Sequence, residues 1–258
     1  MRKLTYNNPI GGSIELYFKP FLLTSVEGLD LPQPNNQEDK APFQDGTTPI
    51  DQLFKPREIV VSGSILAPQD FSGIATYRRQ LLSALNPKAG PGTLTYQNNL
   101  RSYLMQQVVA EGPLFKNKQL DYPYQDFQIT FYCHDPYLYD TTPTSVGIGA
   151  STLVQNLGDV EAPVTITIPG PCTNPTITNV TTGLSIAYVG SVPSGTSLVI
   201  STVFGNKSAL LGGVNAMPNI SPSSTFWSLL LGNNYIEATF GSGTPSVTLA
   251  FYNKYLGA

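Results

Sequence analysis

The chain offers few side chains that could perform catalysis. Its single histidine, His134, stands between Cys133 and Asp135, a trio that suggests a nucleophile beside a base. Consecutive side chains of a strand point to opposite faces, so Cys133 and His134 point apart if this segment is extended. We therefore expect a core cysteine beside a histidine at a strand end. The other thiol, Cys172, shows no CxxC spacing, so neither a disulfide framework nor a metal site is predicted, and no cofactor is expected.

Paired carboxylates are the second candidate chemistry. A glycoside hydrolase needs two acids roughly 5 to 9 Å apart, one of them with a raised pKa. Four aspartates lie close together in the sequence, but they stand among prolines and turn residues, where Asp is favoured for its backbone hydrogen bonds. We favour this structural interpretation and keep a hydrolase as a weaker alternative. The four are Asp121, Asp126, Asp135 and Asp140.

The composition excludes several other classes. Charged residues make up 12% of the 258 positions, about half the ~25% that is typical of soluble domains, which argues against a coiled coil or a charged disordered chain. The 14 basic and 17 acidic residues give a net charge of -3, so a basic footprint for nucleic acid is absent. The N-terminus lacks the apolar region of a signal peptide, and no apolar run is long enough to span a membrane. We expect a soluble chain of cytosolic origin with no membrane partner.

Charge is distributed unevenly along the chain. Residues 1–150 carry 26 of the 31 charged side chains. The change falls in residues 141–151, a stretch of Thr, Ser, Gly and Pro with the composition of a linker. We predict two domains, residues 1–145 and residues 146–258.

Alternating patterns predict a β-sheet in the first domain. In residues 57–66, Ile59, Val61 and Ile65 share one face, and Gly63 leaves room for a close neighbour. Similar patterns predict strands at residues 13–19, 93–97, 101–111 and 124–133.

One helix is predicted, over residues 70–86. Asp70 is its expected N-cap. Its apolar stripe consists of Phe71, Ile74, Leu81, Leu82 and Leu85.

Residues 24–56 show neither a helical nor a strand period and contain five prolines and the pair Asp45-Gly46. Loops of this length are uncommon inside compact domains and usually serve a function. We expect this segment to be an irregular loop that wraps a neighbouring chain.

The second domain is predicted to be an antiparallel sandwich of short strands. Its clearest hairpin joins residues 235–240 to residues 247–252. Exposed aromatic rings could stack on sugar rings, with Tyr188, Trp227 and Tyr235 as the candidate contacts. We favour Trp227 as a core residue and keep a module that binds host cell-wall polysaccharide as the alternative function.

The order of several weak motifs resembles one known family. The motifs include Asp45-Gly46, Arg57-Glu58-Ile59-Val60-Val61, Gly92-Thr93-Leu94-Thr95-Tyr96, the run from Phe127 to Leu138, Asn156-Leu157-Gly158-Asp159, and the ending from Phe251 to Gly257. Together they resemble the distal tail proteins of long-tailed, siphovirus-type phages and prophages of Gram-positive bacteria.

The resemblance implies a mainly β fold, with an N-terminal tail-tube-like ring domain of β-sheet and one α-helix, and a C-terminal galectin-like antiparallel β-sandwich. It implies a non-enzymatic hub at the virion tail tip, assembled in the host cytoplasm as a homohexamer. The expected partners are the tail-tube protein, the tip protein of the tail-associated lysin type and a receptor-binding protein.

Genome DNA would pass through this ring without specific binding, because a chain of low, slightly acidic charge offers few phosphate contacts. The motifs place the expected ring interface at Asp45, Gly46, Arg57, Glu58, Val60 and Ser62.

Overall fold

The computed structural model describes residues 2–67, 71–116 and 124–258. The chain forms two compact units. The first unit runs to Thr141 and also includes Leu256–Ala258, and the second unit is Thr142–Tyr255. The sequence does not anticipate the return of the last three residues to the first unit.

The first unit contains one antiparallel sheet in the strand order β2-β1-β7-β8-β9-β6-β3, with β10 beside β8 and a separate hairpin of β4 and β5. The strands are β1 (Lys3–Asn7), β2 (Ser13–Leu16), β3 (Phe21–Glu27), β4 (Pro34–Asp39), β5 (Thr48–Phe54), β6 (Arg57–Leu66), β7 (Gly92–Gln97), β8 (Ser102–Phe115), β9 (Tyr124–Cys133) and β10 (Leu138–Asp140).

Strand β6 forms as predicted, because its alternate apolar residues fill the core. Ile59, Val61 and Ile65 are all fully buried. A Cβ atom on Gly63 would lie 2.5 Å from the carbonyl oxygen of Leu22 and 2.6 Å from the ring of Phe127. The expected close neighbour of Gly63 is therefore confirmed.

The expectation of an irregular loop at residues 24–56 is wrong. Strand β3 occupies its start, and residues 34–54 form an antiparallel hairpin in which Pro34 lies opposite Phe54. Every residue of β4 is exposed, and β5 is exposed except at Phe54. Neither face of the hairpin is buried, so its strands carry no hydrophobic alternation that a sequence pattern could detect.

The predicted helix is present as α1 (Phe71–Ala84), followed by a 3₁₀ turn at Pro87–Ala89. Ile74, Leu81 and Leu85 are buried as predicted, but Leu82 is 50% exposed, so its place in the buried stripe is wrong. Adjacent helical residues point about 100° apart, and here Leu81 takes the core position. The predicted N-cap, Asp70, lies outside the described residues.

The second unit is an antiparallel sandwich. One sheet has the order β11-β23-β13-β18-β19-β20 with β21 beside β13, and the other has the order β12-β22-β15-β16. The strands are β11 (Thr144–Ile148), β12 (Thr152–Asn156), β13 (Ala162–Pro169), β14 (Cys172–Thr173), β15 (Thr176–Asn179), β16 (Leu184–Ala187), β17 (Ser191–Val192), β18 (Ser197–Ser201), β19 (Ser208–Leu211), β20 (Val214–Asn215), β21 (Ser228–Leu229), β22 (Gly232–Thr239), β23 (Val247–Phe251) and β24 (Lys254–Tyr255).

Buried residues of both sheets share one core, which includes Ile166 and Leu249 of one sheet and Ile177 and Ile236 of the other. The mainly β fold class, with one α-helix among the described residues, is therefore confirmed.

The predicted hairpin of residues 235–240 and 247–252 is wrong. Strand β22 pairs with β12 and β15, whereas β23 pairs with β11 and β13 in the facing sheet. Both segments alternate as predicted, but alternation reports only that one face is buried and does not specify the sheet.

Candidate assembly surfaces of the first unit

The outward side of the first unit's sheet presents polar side chains from four neighbouring strands. In β6, alternate residues leave the core, so Glu58, Val60 and Ser62 point outward. Val60 lies opposite Glu27 of β3 on one side and Thr130 of β9 on the other. We name this surface the polar face and define it as Ser25, Glu27, Glu58, Val60, Ser62, Glu111, Gln128, Thr130 and Tyr132.

The polar face is acidic. It carries Glu27, Glu58 and Glu111, all exposed. Strands β3, β6, β8 and β9 contain a single basic residue, Arg57, and its side chain points to the other side of the sheet. Because affinity for a nucleic-acid backbone depends on Lys and Arg side chains at phosphates, a duplex gains nothing from this surface.

Arg57 is an internal clamp. It is buried, and its guanidinium donates hydrogen bonds to four backbone carbonyl oxygens: those of Pro136 at 2.8 Å, Gly28 at 2.9 Å, Asp30 at 2.5 Å and Leu256 at 2.7 Å.

Burial lowers the pKa of Arg57, and the nearby Cys133 and Asp30 oppose that shift. Its assignment to a ring interface is therefore wrong for the side chain, because all of these donors are directed within the unit.

The hairpin of β4 and β5 carries the other predicted interface residues. Asp45 and Gly46 lie in its exposed connection, and Gly46 has the positive φ of 79° that favours glycine. The hairpin, residues 34–54, contains four acids and one lysine, which gives the charge of -3 that the whole chain carries. The rest of the chain therefore has a net charge of zero.

The six predicted interface residues thus fall in three places. Two lie at the hairpin tip, three lie on the polar face, and Arg57 lies inside. Sequence reasoning missed Glu27, Glu111 and Thr130, which complete the polar face. The signal for Glu111 and Thr130 was the period of two in β8 and β9, whereas β3 is irregular between Leu23 and Ser25 and gave no such signal for Glu27.

The candidate catalytic groups have structural partners. Asp126 accepts a hydrogen bond of 2.6 Å from Ser64 Oγ, and Asp135 accepts one from the Tyr139 hydroxyl and one from the Tyr137 amide. Burial raises the pKa of Tyr139, and the negative charge of Asp135 raises it further. Asp121 lies outside the described residues. Across residues 2–67, 71–116 and 124–258, no cluster of three His, Cys, Asp or Glu side chains could hold a metal.

The two cysteines are buried free thiols. Cys133 is fully buried, and burial raises its pKa to about 12. His134 is exposed and contacts the Tyr132 ring edge-on at 5.0 Å. The expectation of a core cysteine beside a strand-end histidine is confirmed.

The predicted aromatic platform in the second unit does not form. Trp227 is 2% exposed and Tyr188 is 3% exposed, and both belong to the sandwich core. A sugar ring stacks on an open aromatic face, which of the three candidates only Tyr235 offers. The preferred interpretation of Trp227 as a core residue is confirmed.

Comparisons with known proteins cover both units. The model of the siphovirus-type tail component, C-terminal domain, matches residues 157–255, and the model of the phage tail protein RIFT-related domain matches residues 11–133. No curated protein sequence matches the chain. Within the described part of the chain, no helix is long and apolar enough to cross a membrane.

Solved structures share the fold. The SPP1 Dit protein, described as a paradigm of the hub adsorption apparatus in phages infecting Gram-positive bacteria, aligns with a TM-score of 0.78 at 17% identity, over 98% of this chain and 99% of its own. Chains of the phage P2 baseplate in its activated conformation, with Ca and with Sr, align with TM-scores of 0.58 and 0.53 at 10% identity, over 100% of both chains in each case. The family that the sequence motifs indicated is confirmed, and the chain belongs to the siphovirus-type phage tail components.

Proposed function

We propose that this chain is the structural hub at the distal end of a phage tail, where it joins the tail tube to the tip and to the host-recognition proteins. The observation that carries this proposal is the two-unit fold that the chain shares along nearly its whole length with the SPP1 Dit protein. The proposed role requires no catalysis, and two of the candidate catalytic aspartates, Asp126 and Asp135, accept hydrogen bonds from side chains of their own unit.

The hub is a ring of six copies in this proposal. A ring forms when one patch of each subunit binds a different patch of the next subunit, and when the rotation between neighbours brings the last subunit back to the first. The first unit offers such patches in its exposed hairpin and in its edge strands β2 and β3, although the start of β3 is already hydrogen-bonded to Tyr17. Edge strands present unpaired backbone groups that can pair with another chain.

The polar face lines the central passage of this ring. DNA moving through a channel is held back by every basic side chain that pairs with a phosphate. The outward Glu27, Glu58 and Glu111, in strands whose single basic residue points inward, suit a passage that does not retain DNA. The partners of the ring are the tail-tube protein, the tip protein and a receptor-binding protein, and assembly takes place in the host cytoplasm.

Antibody labelling of virions tests the location. Antibodies raised against this chain are expected to label the end of the tail away from the head, at one site per particle. Particles lacking the chain and complemented with it provide the control for specificity. Labelling along the whole tail or at the head would remove the hub function.

A further inference from the structure

Helix α1 exposes a basic face with an unpartnered leucine. Ala75, Arg79 and Lys88 are exposed, and Leu82 is half exposed. Ala75, Arg79 and Leu82 are spaced by four and three positions, so they share one side of the helix. We name Ala75, Arg79 and Leu82 the basic helix face, and Lys88 follows in the 3₁₀ turn beyond the helix. Residues 71–89 contain three basic side chains and no acid.

An open cavity lies beside this face. It measures about 410 Å³ and is bounded by β2, by the turn that follows it, and by Gln80 of α1. Tyr17 and Phe18 line its wall together with one acid and one base, Glu15 and Lys19, and Phe18 is 63% exposed. Gln80 and Arg79 are both exposed on α1 and point about 100° apart around its axis, so the cavity lies on a flank of the helix next to the basic helix face.

The hairpin of residues 34–54 has the complementary character. It carries the charge of -3 described above, and Phe43, Ile50 and Leu53 expose apolar side chains, with the Phe43 ring entirely in solvent. Strands rise about 3.4 Å per residue, so β4 and β5, with six and seven residues, are each roughly 20 Å long. Apart from Phe54, which contacts the Tyr137 ring, the side chains of β4 and β5 are exposed in the single chain and are open to contact with another subunit.

We propose that the acidic hairpin of one chain docks on the basic helix face of a second copy, with Phe43 entering the cavity beside Gln80. This inference rests on the ring of the proposed function and identifies the contact that closes it. The two patches differ, so the interface is heterologous, as a closed ring requires. Opposite charges align the surfaces, and the uncovered Phe43 and Leu82 supply apolar area that leaves water on contact.

A charge exchange in the full-length chain tests the contact. Sedimentation velocity over a concentration series compares the wild type with Asp45→Lys, with Arg79→Glu, and with the chain carrying both changes. Each single reversal is expected to weaken self-association about tenfold at low salt, and the double variant to recover a large part of the loss, because it restores an opposite pair. Glu161→Lys and Lys207→Glu are matched controls on exposed positions of the second unit, and neither should change association.

Phe43→Ala provides an independent variant that preserves charge. Its ring contacts solvent in the single chain, so the thermal midpoint of the monomer should not change, whereas self-association should weaken about tenfold. Association that is unaffected by Asp45→Lys, Arg79→Glu and Phe43→Ala would overturn the inference, as would a double variant no better than the single ones. A wild type that never self-associates would overturn it as well.

These outcomes separate the contact from the function. Labelling at the tail tip together with unaffected reversal variants would remove only the hairpin contact and leave the hub function in place. Reversals that leave self-association intact but abolish binding of the tail-tube protein would assign the hairpin to that protein and overturn the inference.

Discussion

The Arg57 guanidinium donates a hydrogen bond of 2.7 Å to the carbonyl oxygen of Leu256, 199 positions along the chain. The same side chain binds the carbonyl oxygens of Gly28 and Asp30, just beyond β3. One buried charge thus fastens the C-terminal segment and the exit of β3 to the start of β6. Because one group must donate to four carbonyl oxygens at once, the arrangement depends on the planar, five-donor guanidinium.

Arg57→Ala should destabilise the first unit strongly. The change removes four charge-assisted hydrogen bonds and leaves carbonyl oxygens without partners, for an expected loss of about 2 to 4 kcal/mol in the free energy of unfolding. Chemical denaturation followed by fluorescence measures it. Lys55→Ala, on an exposed side chain two positions away, is the control. Equal stability of the two variants would show that the clamp contributes little.

Leu81 and Leu82 form a matched pair on α1. Leu81 is 0% exposed and Leu82 is 50% exposed. Leu81→Ala should cost roughly 2 to 4 kcal/mol, because it opens a cavity in the core. Leu82→Ala should cost under about 1 kcal/mol in the monomer. Thermal denaturation measures the stability of both variants. A larger loss of stability for Leu82→Ala than for Leu81→Ala would contradict the described helix orientation.

Asn234 should stabilise the second unit. Its buried amide accepts a hydrogen bond from the Leu230 amide and donates to the Leu230 carbonyl oxygen, both at 2.9 Å. Asn234→Ala is therefore expected to cost about 1 to 3 kcal/mol, the range for leaving buried backbone groups unpaired. Asn233→Ala, on the exposed neighbour, is the control. Denaturation curves that coincide would refute the structural role.

Cys133 gives the fold a pH dependence in alkaline solution. Burial raises its pKa from 9.0 to about 12, so the folded chain keeps a proton that the unfolded chain loses. The stability that the buried, protonated thiol contributes is fully present below the unfolded pKa. The free energy of unfolding then falls as the pH rises from about 9 to 12, at roughly 1 kcal/mol per pH unit. Cys133→Ala should show a shallower decline over that window. Identical slopes would contradict the shift.

The polar face predicts how added basic residues act on DNA. Val60→Lys with Thr130→Lys should create salt-dependent affinity for duplex DNA, and each new phosphate contact should steepen the salt dependence by about 0.9 in logarithmic slope. Fluorescence anisotropy with labelled duplex measures this. Thr239→Lys on an exposed position of the second unit is the control. A wild type that already binds duplex as tightly as the variant would contradict the proposed passage.

The sequence predicted the elements that bury one face. Strands β6 and β9 follow from alternation and helix α1 from a period of 3.6, because the core imposes that pattern. The hairpin of β4 and β5 escaped detection because it buries neither face and therefore lacks that pattern. Leu82 was misassigned since a helical stripe of hydrophobics can be wider than the face that packs.

The pairing of strands and the partners of side chains were harder to predict than secondary structure. Alternation in β22 and β23 could not reveal that they belong to facing sheets. From the sequence, Arg57 at the start of a strand looks like a surface residue. The structure shows that carbonyl oxygens of distant segments surround its guanidinium. The polar face became visible only when the register placed Glu27, Val60, Thr130 and Glu111 in one row.

The mass of the purified full-length chain in solution tests the hub account most directly. Light scattering across a concentration series, followed by negative-stain imaging, is predicted to give a particle near six times 27.8 kDa with a central hole. A mass of 27.8 kDa at every concentration, with no ring in the images, would contradict the proposed ring.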